Sequence, residues 1–99
     1  MQKFDLYRIS GALYLVVQAD HLLDLNTVVL VPVLPESALP ALSRLTVDIE
    51  IEGRPHRVRA HMPLTVDAQR LRTLTPVHRL TPDEGQAVMD GLNAILWGL

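Results

Sequence analysis

A mainly β chain closed by one C-terminal helix is predicted by three features of this sequence. Apolar and charged residues alternate on both sides of Gly53, seven prolines and five glycines punctuate only 99 residues, and a capped helix start lies at Thr81. A period of two marks a half-buried strand, and dense proline and glycine mark the turns between short strands.

Lys3 to Tyr7 alternates with Phe4 and Leu6 on one side, which predicts a first strand. Gly11 marks a turn into Leu13 to Gln18, a second strand rich in β-forming residues. Val28 to Val33 is apolar on both faces and predicts a third, central strand. Pro32 removes a ladder donor there, so a strand end or bulge is expected at that position. Residues 35–40, with two prolines, predict a loop.

The strongest local pattern is the next hairpin. Val47, Ile49 and Ile51 alternate with Asp48, Glu50 and Glu52, while Val58, Ala60 and Met62 alternate with Arg57, Arg59 and His61. With a turn at Gly53-Arg54-Pro55-His56, Glu52 faces Arg57, Glu50 faces Arg59 and Asp48 faces His61. One face is then apolar and the other a ladder of opposite charges, each pair contributing roughly 0.2–1 kcal/mol. A slip of one residue would bury the acids, so the faces are strongly fixed.

Residues 64–74 are ambiguous, with Gln69 to Arg72 a loop or a short helical turn, and Val77 to Leu80 predicts a last strand. The helix then starts cleanly: Thr81 offers a capping hydroxyl, Pro82 suits the first helical position, and Glu84 can close a capping box. Val88, Leu92, Ile95 and Leu99 form one apolar stripe, flanked by Gly91 and Leu96, that should lie on the sheet. Gly91 weakens the helix but permits close backbone approach.

Composition narrows the function. A net charge of −2, from 9 basic and 11 acidic side chains, gives no dominant cationic footprint for a freestanding nucleic-acid binder. The lack of cysteine removes disulfides, thiolate metal sites and thiol nucleophiles. No signal-peptide core and no stretch of roughly 20 apolar residues is present, so a cytosolic, single-domain protein over residues 1–99 without membrane contact is expected.

Catalytic patterns are sparse. His21, His56, His61 and His78 lack the spacing of a zinc motif, and Ser10, Ser37 and Ser43 have no nucleophile-elbow context. Asp20 and Asp24 read as loop acids, and no glycine-rich phosphate loop occurs. Arg54, Arg57, Arg59, Arg70 and Arg72 make a locally basic stretch whose adjacent acids predict internal ion pairs. No catalytic residue, metal or cofactor is expected, and the protein is predicted not to be an enzyme. Two apolar features remain. Trp97 follows Val88 by nine residues, which places it about 180° around the helix from the core stripe, with Asn93 on its face. It either folds back over the barrel or docks on a partner. Leu22 and Leu23, between Asp20-His21 and Asp24, either pack under a loop or expose at least one side chain.

The chain resembles the CcdB family of bacterial toxins over nearly its whole length. The likeness rests on Met1-Gln2 with Phe4 and Tyr7, on Val17-Gln18-Ala19-Asp20 followed by Leu22-Leu23-Asp24, on Val31-Pro32, and on Asn93 with Trp97-Gly98-Leu99. The resemblance implies an SH3-like barrel with a small additional antiparallel sheet and a C-terminal helix, assembled as a homodimer. It implies a toxin of a type II toxin–antitoxin system that binds the A subunit of DNA gyrase, traps the enzyme on cleaved DNA and blocks replication. A CcdA-like antitoxin would neutralise it, and the pair would repress its own operon, with operator DNA reached only through the antitoxin complex. Carried over by position, the gyrase contacts fall on Leu22, Leu23, Asn93, Leu96, Trp97, Gly98 and Leu99.

Two departures bear on strength. Leucine replaces isoleucine at Leu22, Leu23 and Leu99, a swap that conserves volume. Leu96 replaces phenylalanine, which removes contact area and implies a loss of about 1 kcal/mol. Two other readings are weighed against gyrase poisoning. One is a ribonuclease of the same barrel, for which Arg57 or Arg59 near Asp48 or Glu50 is the one nominable cluster. The other is a non-toxic chromosomal relative that only binds antitoxin.

Overall fold

The computed structural model describes residues 1–38 and 40–98. Seven strands, β1 (Asp5–Ile9), β2 (Ala12–Val16), β3 (Thr27–Pro35), β4 (Thr46–Ile51), β5 (Arg54–Arg59), β6 (Leu64–Asp67) and β7 (His78–Arg79), accompany a short helix α1 (Gln69–Arg72) and a long helix α2 (Pro82–Trp97). The strands form one antiparallel sheet in the order β4-β5-β3-β2-β1-β7, with β6 pairing β3 off this path. The mainly β class with one C-terminal helix is therefore as expected, and β6 joins the same sheet as a branch from β3.

Alternation places successive residues on opposite faces, and each face has its own core. Leu6, Leu15, Val31, Val33 and Val58 pack with Val88 and Leu92 of α2. Tyr7, Val16, Val28 and Leu30 pack on the other face, closed by Ala68 and by Leu71 of α1. Burial, and then the nearby Asp5 carboxylate, pushes the Tyr7 phenol above its ordinary pKa. Asp5 itself is buried and accepts a 2.8 Å bond from Arg79 Nη1, tying β1 to β7.

Pro32 sits inside β3 rather than at a strand end or bulge. Val17 N–H donates to Val29 O at 3.2 Å, so alternate residues 31 and 33 also face β2 and Pro32 faces away from it. On that far side Thr27 to Leu30 pair with β6 and Val33 to Pro35 pair with β5, which leaves no ladder bond for Pro32 to lose.

The β4–β5 hairpin keeps its faces but not its expected register. Ile51 pairs with Arg54, Glu50 with Pro55, Asp48 with Arg57 and Val47 with Val58. The turn is the two residues Glu52 and Gly53, whose φ angles of 53° and 75° match the twist of the flanking strands. The displacement is even, so Ile49, Ile51, Val58 and Ala60 remain buried together. The charge ladder is lost. Of the acids of β4 only Asp48 meets an arginine across the strands, and Met62, expected on the apolar face, is exposed beyond the end of β5.

Helix α2 begins with the expected capping box: Glu84 N–H donates to Thr81 Oγ1 at 3.2 Å and Thr81 N–H donates to Glu84 Oε1 at 2.9 Å. Its buried residues are Gly85, Val88, Gly91 and Leu92. Ile95 lies on the same angular stripe yet is 47% exposed, because the last turn has run past the sheet. Leu99, the expected end of the stripe, lies outside the described residues.

At Gly91 the helix comes close to the backbone of the rest of the fold. A Cβ there would overlap the Arg44 carbonyl oxygen and stand 3.0 Å from Ala60 Cβ. Gly91→Ala therefore trades a helix-propensity gain of about 1 kcal/mol against an overpacking cost of about 1–3 kcal/mol. Net destabilisation is expected, read as a lower urea midpoint with an unchanged slope.

Candidate partner-docking site

The last turn of α2 presents an apolar surface that no other described residue covers. Ile95 is 47% exposed, Leu96 60% and Trp97 73%. The cause is local: Val88 and Leu92 fix which face meets the sheet, and Trp97 is turned away from it. Gly98 ends the helix in the left-handed region, with φ 71°, and its N–H donates to Ala94 O at 2.9 Å. That cap holds the final turn helical up to Trp97 instead of letting it fray. Asn93 is exposed on the same side of the helix.

Leu22 and Leu23 occupy the connection between β2 and β3, in a 3-10 turn over Asp20–Leu22. Leu22 is 42% exposed, whereas Leu23 is half-buried against the Tyr7 core. The pair thus splits, one leucine anchoring and one presented. Leu25 adds a further exposed leucine that the sequence pattern did not single out.

Three side chains hold this turn. Gln18 Nε2 donates to Leu22 O at 2.7 Å and Thr27 O at 3.3 Å, while Gln18 Oε1 accepts from Val29 N–H at 2.9 Å. Arg72 Nη2 reaches from the end of α1 to Leu23 O at 3.2 Å and Leu25 O at 2.9 Å. Asp20 Oδ1 accepts from Lys3 N–H at 2.8 Å. Sequence reasoning missed Arg72, since no local pattern links residues 72 and 23; the arginine met only a general expectation of ion pairing. The candidate residues form two patches, one tied to the core under α2 and the other to the core under α1.

The cluster nominated for the ribonuclease alternative splits: Arg57 is neutralised by Asp48, whereas Arg59 meets no carboxylate among the described residues. Arg57 Nε donates to Asp48 Oδ1 at 2.7 Å, and its Nη1 donates to Glu36 O at 3.1 Å. The bond to Asp48 leads the effects that raise the Arg57 pKa above its ordinary value. Arg59 faces Thr46 rather than Glu50; its Nε and Nη1 are buried without a hydrogen-bond partner, and its Nη2 meets His61 Nε2 at 3.4 Å. Among the described residues, no group of three or more histidine or carboxylate side chains is placed to hold a metal ion. No helix among them is long and apolar enough to cross a membrane.

Comparison with known proteins decides the family. The family model described as CcdB protein matches residues 3–98. The chain belongs to the CcdB family. No curated protein matches the sequence. Among solved structures, this CcdB-family chain is similar to an endoribonuclease from a mycobacterial species, with 18% identity, coverage of 100% of this chain and 92% of the other, and a TM-score of 0.82. A mycobacterial endoribonuclease in complex with its cognate antitoxin matches at 18% identity, 100% and 96% coverage and TM-score 0.81. A MazE–MazF structure from Deinococcus radiodurans matches at 15% identity, 97% and 95% coverage and TM-score 0.77.

The expectation that the chain is not an enzyme is corrected, because the fold on which it leaned is shared with enzymes. Two of the structures that share its fold over essentially the whole length are described as endoribonucleases. Zinc, serine-elbow and phosphate-loop spacings belong to other chemistries. Their absence carries no information about a barrel whose strands bring distant residues together.

The presented leucine makes a test of the loop. Arg72→Ala removes two hydrogen bonds to carbonyls, each worth about 1 kcal/mol net. Faster amide hydrogen exchange is expected across residues 22–26, with the amides of β2 and β3 keeping their protection. Uniform loss of protection across the sheet would instead make Arg72 a general stabiliser.

Proposed function

We propose that this protein is the toxin of a type II toxin–antitoxin module and acts by docking the last turn of α2 on the A subunit of DNA gyrase. The observation that carries the reading is Trp97, 73% exposed on a capped helix end beside exposed Leu96 and Ile95. An indole presents about 150–250 Å² of apolar surface with few rotatable bonds, which suits it to anchor an interface. Asn93 and Gly98 flank it, and Leu22 with its anchored neighbour Leu23 provides a second patch. Leu99, assigned to the same surface by resemblance, lies outside the described residues.

In this reading a homodimer presents two such surfaces, holds gyrase on cleaved DNA and so blocks replication. A CcdA-like antitoxin covers the toxin, and the pair represses the operon, reaching operator DNA through the antitoxin. The mycobacterial endoribonuclease solved with its cognate antitoxin supports an antitoxin partner for this fold. The endoribonuclease neighbours also favour a second reading, in which the chain cleaves RNA.

One experiment separates the two. Purified protein is incubated with gyrase and supercoiled DNA, and separately with labelled RNA. Linear DNA is expected with the parent and none with Trp97→Ala, an anchor of the kind whose truncation costs about 2 kcal/mol or more, roughly thirtyfold in affinity. Equal linearisation by both proteins removes the role given to Trp97. RNA degradation with intact DNA establishes the second reading instead.

A further inference from the structure

The ionisable residues are unevenly distributed over the surface. One cleft, lined by Glu36, Asp48, Glu50 and Glu84, carries carboxylates and no base. A second cleft of about 390 Å³ lies between the β1–β2 turn, the end of β3 and the start of β5; Arg8, Arg54 and His56 line it, and no carboxylate does. Arg8 and Arg54 are exposed, and neither forms an ion pair among the described residues. The one bond from the Arg8 guanidinium is a long one, 3.5 Å from Nη1 to Gly11 O. His56 Nδ1 lies 3.0 Å from the Arg54 carbonyl oxygen, which assigns the proton to Nδ1 and leaves Nε2 available.

The rest of the lining is apolar and partly flat. Tyr14, Pro32 and Leu34 are each half-buried along the cleft. A cationic groove with an aromatic platform suits a single nucleic-acid strand: guanidinium groups meet phosphates while the ring faces meet bases. The volume fits within the range of small-molecule clefts, about 300–1,000 Å³, which is room for one or two nucleotides rather than a duplex.

We infer that this cleft, with Arg8 and Arg54 on phosphates and Tyr14 under a base, binds a single strand of nucleic acid. The phosphodiester is common to RNA and DNA, so both strands enter the test. The site shares no residue with the Trp97 surface and does not rest on the gyrase reading. It also differs from the cluster nominated from sequence, Arg57 or Arg59 near Asp48 or Glu50, in which Arg57 and Asp48 pair with each other.

The test is fluorescence anisotropy with the intact protein, using a labelled octanucleotide as RNA and as DNA of the same sequence. Binding of at least one strand is expected. Two phosphate contacts on a single strand give a log–log salt slope of about −1.4, a loss of about sevenfold between about 50 and about 200 mM salt. The double variant Arg8→Ala/Arg54→Ala should bind at least tenfold more weakly with a flattened salt slope, whereas Trp97→Ala and Arg70→Ala should bind as the parent does. Arg8→Lys/Arg54→Lys keeps the charge and should restore the slope, which guards against a folding defect. Binding by RNA alone or DNA alone identifies the source. Failure of both strands to bind, equal binding by the double alanine variant, or displacement by octaglutamate at lower concentration than by unlabelled strand each overturns the proposal.

Discussion

The setting of α2 on the sheet depends on a close backbone approach, Gly91 against the Arg44 carbonyl and Ala60. No side chain larger than hydrogen fits there without moving backbone, so the contact fixes the rotation of the helix as well as its distance. Val88 and Leu92 then point into the core, and at about 100° per residue the opposite direction falls on Trp97. The indole is exposed because the helix is tightly packed elsewhere. A looser contact at Gly91 would let the helix roll and bring the apolar last turn partly under cover.

The second patch is held by a different means. Past Val17, which is buried in the α2 core, residues 20–26 of the connection between β2 and β3 add no side chain to that core, and only Leu23 among them packs against the core under α1. Its geometry comes from carbonyls gripped by Gln18 and Arg72, side chains that belong to regular elements or their edges. Such bonds are modest in net energy, about 0.5–1.5 kcal/mol each. Their effect lies in converting a polar loop into a surface of defined shape. One patch is therefore rigid through packing and the other through hydrogen bonding, and the two have separate cores beneath them.

Periodicity made the faces of the strands legible, whereas register stayed hidden. Val47, Ile49, Ile51 and Val58 lie inward as their alternation requires, because any even displacement leaves that pattern intact. Nothing in the alternation separates a turn at Glu52-Gly53 from one at Gly53 to His56. The choice went to the two-residue turn, whose left-handed φ angles match strand twist, and the expected ion-pair ladder vanished with it. The capping box at Thr81 was readable because all its partners lie within four residues. The grip of Arg72 on Leu23 and Leu25 was not, because only the completed fold brings them together.

Net charge misleads for the same reason. A total of −2 is an average over a surface on which four carboxylates line one cleft while two arginines and a histidine line another. Attraction between unit charges falls off over about 8–10 Å at ordinary ionic strength, so a bound strand responds to the lining of its cleft rather than to the sum over the molecule. Residues 8, 14, 32, 34, 54 and 56 come from four separate strands, and no window of sequence contains them. A pattern search along the chain therefore finds neither a catalytic motif nor a cationic footprint. The barrel assembles its surfaces from strand ends, and there the sign of the local charge and the chemistry it permits are set.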